Sequence, residues 1–282
     1  MLSLDAPLVA VAWQALFARV LQVELAWFHG WLLGMAVWVV YAADRWIEGW
    51  RLSPEMVQTH RHHFSIRWRW PLFGVGLVVI GVSIKLSLTY LRLIEWAGSL
   101  VLLAATLVYL FSHQCLHLHN PRKAPKELCV AILFPLGTSL FPASQLISVQ
   151  GSGHLFPEEW AGVGIQALWL PLGCFALLCL ANLMLISAWE AEVDIRHGQT
   201  SLALQFPENQ HLIHFFPRIL MVLGLLAVFF TEGRDRIAIT CFALSASCLA
   251  LLDFVEPKIG RELSRALIDL MLLPPAFYFW WK

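Results

Sequence analysis

The sequence predicts an all-helical protein that spans a membrane many times, and three observations carry that prediction. Of its residues 59% are hydrophobic and only 13% are charged, where a soluble domain carries about 25% charged. Its mean hydropathy is +0.68. The apolar residues gather into long runs, each near the roughly 20 residues that a bilayer-crossing helix needs. A soluble chain of 282 residues lacks the interior to hide this much apolar surface, and a disordered chain has the opposite composition. The 19 basic and 19 acidic residues cancel, so no basic excess points to nucleic acid as a partner.

Nine stretches qualify as spans, at about 6–23, 26–47, 70–89, 93–112, 127–148, 161–188, 212–231, 235–252 and 265–281, within one integral-membrane domain over 1–282. The first is the weakest, because Gln14, Arg19 and Gln22 interrupt it. The longer connections, about 48–69, 113–126, 189–211 and 253–264, share one side and hold most of the Lys and Arg. The positive-inside rule places them in the cytoplasm, with the N-terminus inside and the C-terminus outside. The expected location is a plasma membrane, a bacterial inner membrane. Tyr278, Trp280 and Trp281 suit an aromatic anchor at the interface. The N-terminus has no Lys or Arg before Arg19 and no small-residue cleavage pattern, so it does not read as a removable signal peptide. The six Cys show no C-x-x-C spacing and, Cys115 apart, lie in apolar runs, which suits reduced, packed thiols.

Carboxylates near membrane depth point to function by default. Two clusters stand out. Asp44 and Glu48 close the second span, four apart and therefore on one helix face. Glu190 and Asp194 close the sixth span with the same spacing, while Glu192 faces elsewhere on a regular helix. Both clusters end on the same predicted side. Like charges about 4 Å apart repel by roughly 4 kcal/mol at an effective dielectric of 20, so converging carboxylates bind protons or a cation. Oxygen ligands without cysteine favour Mg²⁺, which bridges one or two carboxylates to substrate phosphates. The expected metal ligands are Asp44, Glu48, Glu190 and Asp194, joined by Glu192 where the helix unwinds. Arg61, Lys123 and Lys126 lie in the same loops and would suit a diphosphate. The plainer account is that acidic and basic residues simply mark helix ends at the water interface.

These residues resemble the motifs of the UbiA superfamily of membrane prenyltransferases. That family's first motif reads N-D-x-x-D-R-x-x-D; here it is Val40-Tyr41-Ala42-Ala43-Asp44-Arg45-Trp46-Ile47-Glu48, followed by Thr59-His60-Arg61-His62. The second reads D-x-x-x-D-x-x-x-G-x-x-[ST]-L-A. Here Glu190, Asp194, Gly198, Ser201, Leu202 and Ala203 keep that spacing. Lys126-Glu127, with Gly137 ten residues on, is similar to the start of the family's fifth span. Val40 and Tyr41 stand in place of Asn and Asp, and Glu48 and Glu190 in place of Asp. The resemblance implies two pseudo-repeats, about 1–112 and 113–252, plus a ninth helix, ringed around a central cavity that opens to lipid. It implies Mg²⁺-dependent transfer of a prenyl group from a polyprenyl diphosphate to a lipid-soluble acceptor, with Asp44, Glu48, Glu190 and Asp194 catalytic. Tyr41, Trp46 and Trp189 would shield an allylic cation by cation–π contact. Asn182, two turns before Glu190, would either face the cavity or bond a neighbouring helix. Asp269, four residues after Arg265, reads as its structural partner.

Two other classes compete. The loss of the Asn-Asp pair suits a non-catalytic membrane protein that retains the scaffold. The 11 His include His60, His62 and His63, and His113 and His117 at helical metal-binding spacing. Membrane di-iron oxygenases use three His boxes. This chain offers an incomplete set: His119 extends the second cluster, and beyond the two clusters only His211 and His214 stand close enough together to suggest a third box.

Overall fold

Long apolar runs become long helices here because, in a bilayer, a helix satisfies its own backbone. A computed structural model describes residues 4–51, 69–115, 126–151, 164–196 and 201–280. The helices are α1 (Asp5–Leu21), α2 (Trp27–Arg51), α3 (Arg69–Tyr90), α4 (Leu93–Cys115), α5 (Lys126–Gly151), α6 (Trp169–Arg196), α7 (Leu202–Gln205), α8 (Gln210–Phe230), α9 (Asp235–Ile259), α10 (Arg261–Leu267) and α11 (Pro274–Trp280). Tighter single turns occupy Ile165–Leu168, Pro207–Asn209 and Ile268–Leu272. The described residues contain no strand. The protein is an all-α integral membrane protein.

Six described helices are long and apolar enough to cross a membrane: α3, α4, α5, α6 with its leading turn, α8 and α9. The other three expected spans differ in ways their residues explain. α1 has 17 residues, about 26 Å at 1.5 Å per residue. It is short because it is packed inside the bundle, with Trp13, Leu16 and Phe17 fully buried. α2 has the length, but His29, Asp44 and several Trp lower its apolarity. The expected span at 265–281 is broken into α10, the turn Ile268–Leu272 and α11. Gly260, at φ +86° in a region that favours glycine, separates it from α9, and Pro274 and Pro275 open α11. α6 runs on past position 188 to Arg196, so the second acidic motif up to that residue is helical.

The core gathers around α1, α6 and α9. The Trp13 ring stacks on Phe175 at 4.2 Å, and its Nε1–H donates to the Leu272 carbonyl at 2.8 Å. One side chain thus ties α1 to α6 and to the C-terminal segment. α8 packs on α9 almost backbone to backbone, since a Cβ on Gly224 would stand 2.9 Å from the Ala243 Cα. The other half is looser. None of the most apolar stretch of α3 is buried, against 61% in α9. α3 packs on α2, and α4 on α5. Between the two halves lies a hollow. The C-terminal ends of α2 and α6 and the N-terminal ends of α5 and α10 surround one end of it.

Candidate active site

A cavity of about 900 Å³ runs through the bundle, walled by α2, α3, α4, α5, α6 and α10. Along α2 it reaches from Leu32 to Asp44, about 18 Å at 1.5 Å per residue. Most of its length is apolar, with Leu33, Val37, Leu103, Phe134 and Leu140 among its wall residues. One end is charged. Asp44, Glu127, Glu190, Asp194 and Glu262 line it together with Lys126, Arg261 and Arg265. Among the described residues carboxylates outnumber cations there, an excess that favours a bound positive charge.

Of the residues singled out in the sequence, Tyr41, Asp44, Lys126, Glu190 and Asp194 line this one cavity. They come from three helices and from both halves of the chain. Asp194 is buried at 6% exposure. Glu190 Oε1 accepts a hydrogen bond from Arg265 Nε at 3.0 Å, and Arg265 also lies 3.8 Å from Asp269. Glu192 turns away from the cavity, as regular helical geometry dictates. It is exposed and paired with Arg261 at 2.9 Å. Asn182 lines no part of the large cavity. Its Nδ2 donates to Asp269 Oδ1 at 2.9 Å, a bond between α6 and the turn after α10. Beside it a hollow of about 30 Å³ is lined by Tyr41, Asn182 and Asp269, enough for a water or two. The side chain of Glu48, and all of Arg61 and Lys123, lie outside the described residues.

The donor set suits a hard cation. No imidazole or thiol lines the cavity among the described residues, which leaves carboxylate oxygen, the ligand type of Mg²⁺. Among the described residues no three carboxyl, imidazole or thiol groups gather closely enough to hold a metal alone. Mg²⁺ does not require that. It keeps several waters and uses one or two carboxylates plus the phosphates of its substrate.

Other residues of the mouth, Glu127, Arg261, Glu262 and Arg265 among them, were not legible as such in the sequence. Glu127 is buried at 2% exposure. Its Oε1 accepts the Leu202 backbone N–H at 3.1 Å, while Oε2 is enclosed with no partner among the described residues. Arg261 and Arg265 come from α10; in the sequence Arg261 fell in the connection 253–264, and Arg265 read as the structural partner of Asp269 at the start of the last span.

The opposite end of the bundle holds a second buried polar group. His29 of α2 and Glu95 of α4 are both fully buried. Glu95 Oε1 accepts from His29 Nε2 at 3.1 Å, Gln145 Nε2 at 3.1 Å and Arg92 Nη2 at 3.0 Å. Glu95 Oε2 accepts the Arg92 backbone N–H at 2.8 Å. His29 Nδ1 accepts from the Ala26 N–H at 3.1 Å, which places the ring proton on Nε2. His214 is accounted for by Asp253, whose Oδ1 lies 2.7 Å from its Nδ1; neither His211 nor His214 lines the cavity.

Helices ringed around a chamber that is apolar along its length and acidic at one end define a polytopic membrane protein with an amphiphilic cavity. The solved structures sharpen that class. The chain is similar to the apo structure of a UbiA homolog from Aeropyrum pernix K1, with a TM-score of 0.61 and 15% identity, over 98% of this chain and 97% of that one. The chain therefore has the UbiA fold. No family model matches it, and no curated protein does.

Proposed function

We propose that this protein is a divergent member of the UbiA superfamily that transfers a prenyl group from a polyprenyl diphosphate to a lipid-soluble acceptor within the membrane. The supporting observation is the convergence of Asp44 with Glu190 and Asp194 at the mouth of one long apolar cavity. The apolar length suits a prenyl chain, and the charged end suits its diphosphate. Asp44 and Asp194 would hold Mg²⁺, with Glu48 and Glu190 beside them. Glu190 also serves to hold Arg265 at the mouth. When bound, Mg²⁺ supplies charge neutralisation for the leaving pyrophosphate. Lys126 adds a further cation for its oxygens, a role the sequence pattern also suggests for Arg61 and Lys123. The carbon–oxygen bond of the prenyl diphosphate breaks with its electron pair leaving on pyrophosphate. The acceptor's electron pair closes on the allylic carbon, and the acceptor gives up a proton. Tyr41 and Trp189, both in the cavity wall, would shield the cationic carbon by cation–π contact. The motif side is the cytoplasmic one on this reading, and the location is the plasma membrane.

A second reading rests on Tyr41. It stands where the family motif has Asp, and this suits a scaffold that binds lipid without turnover. One experiment separates the readings. The protein is purified in detergent and given labelled geranylgeranyl or farnesyl diphosphate with Mg²⁺. Binding that disappears with EDTA, and in Asp44→Ala and Asp194→Ala, together with release of pyrophosphate when acceptor lipids are added, is the expected result. Binding without release of pyrophosphate favours the scaffold. Absence of binding removes the prenyl-diphosphate reading, and stoichiometric iron in the purified protein would favour the oxygenase.

A further inference from the structure

We infer that Glu127 is a divalent-cation ligand at the cavity mouth, supplying a carboxylate that neither acidic motif contains. The inference rests on the prenyl-diphosphate reading for its biological purpose but stands on its own geometry. An enclosed carboxylate oxygen with no partner is costly, and such a group takes up either a cation or a proton. Glu127 carries one: Oε2 has no partner among the described residues, and the side chain is 98% hidden, with only 2% exposed. The other oxygen is committed to the Leu202 N–H, which fixes the carboxyl plane and leaves Oε2 as the coordinating atom. Glu127 lines the same cavity end as Asp44 and Asp194, and the charge of Lys126 and, more weakly, that of Asp194 act on it.

Two acids placed together in low dielectric are stable when a cation lies between them. Lys126 is next in sequence and lines the same wall. A lysine is a single point charge, whereas a small divalent ion takes oxygens from several carboxylates at once. A second unmatched group at the mouth points the same way. Trp189 lines the cavity, and its Nε1–H is buried without an acceptor. Both residues line the hollow, and each keeps one polar atom unmatched, an acceptor on Glu127 and a donor on Trp189. A cation bound with an anionic oxygen group satisfies both. The position also matters for the first motif. Val40 and Tyr41 cannot ligate Mg²⁺ as Asn and Asp would, and Glu127 restores a carboxylate to that chamber from a different helix.

The test uses the full chain in detergent, with Mn²⁺ as the probe and no diphosphate present. Mn²⁺ binding is followed by the loss of the free-ion electron paramagnetic resonance signal. Glu127→Gln keeps an oxygen for the Leu202 N–H and removes the charge. Mn²⁺ affinity is expected to fall at least about tenfold, the loss that even outer partners of metal sites cause. The Tm without metal is expected to stay level or rise, because a buried unpaired charge has gone. Glu127→Asp, which keeps the charge but withdraws it by one methylene, is expected to bind Mn²⁺ with intermediate affinity, and serves alone if Glu127→Gln does not fold. Unchanged Mn²⁺ affinity in both variants overturns the inference, as does a falling metal-free Tm with unchanged affinity, the mark of a purely structural group. Absence of saturable Mn²⁺ binding by the unmodified chain overturns it too. Mn²⁺ binding that depends on Glu127 in a protein that ignores prenyl diphosphates would leave the inference standing and remove only the transferase reading.

Discussion

Two buried ionic groups sit at opposite ends of the same helices, and they are built on different principles. At the far end, Glu95 collects four hydrogen bonds from His29, Gln145 and Arg92. Both oxygens are used, and none of these four residues lines the cavity. Such a group ties α2, α4 and α5 together and does nothing else that geometry requires. At the mouth, among the described residues, the acids outnumber the cations, one Glu127 oxygen is unmatched, and a cavity of about 900 Å³ opens beside them. A completed polar network holds a structure; an incomplete one beside a cavity is a place for a ligand. Burial alone does not separate the two, for Glu95 and Glu127 are both hidden.

The contrast is open to mutation. The largest stability effect is expected at the far end. Glu95→Ala leaves a buried imidazole, an amide and an arginine without their acceptor, a loss of about 3–5 kcal/mol, read as unfolding in detergent at a much lower denaturant concentration. A small loss there would mean that the knot does not tie the helices. At the mouth the expectation reverses. Asp44→Ala abolishes Mg²⁺-dependent prenyl diphosphate binding while its unfolding midpoint shifts by less than about 1 kcal/mol. A large shift would place Asp44 with the structural groups. Gly224→Ala forces a Cβ against the Ala243 backbone and costs about 1–3 kcal/mol by overpacking, a reference from the tight half that involves no charge. The smallest effect belongs to Arg261→Ala. Its pair with Glu192 is exposed on both sides, so stability changes by less than about 1 kcal/mol and the effect shrinks further in salt.

Much of the site was legible because its residues broke a local rule. Asp44, Glu190 and Asp194 are carboxylates at the ends of apolar runs, where a bilayer makes charge expensive. Their spacing of four marks a shared helix face, and it also marks Glu192 as the odd one out. Glu192 indeed faces away, toward Arg261. Glu127 broke no such rule. A Lys-Glu pair opening a span is what topology alone produces, and only the return of Leu202 to its side chain shows that it is inside. The C-terminal stretch 265–281, expected as one continuous span, is divided for a related reason. Its composition is apolar enough, but Gly260 and the Pro274-Pro275 pair divide it into pieces.

The sequence by itself determined that this chain is helical, that it belongs in a membrane, and which helix ends carry acid. These are local matters, because bilayer thickness and the 3.6-residue turn act on each segment separately. Tertiary structure alone decided that Asp44 and Asp194, 150 positions apart, share one hollow, that Glu95 is sealed while Glu127 is left wanting a partner, and that α1 lies inside the bundle. Those outcomes depend on which helices pack together. No single segment carries that information, since every apolar face in lipid can be satisfied equally by hydrocarbon or by another helix.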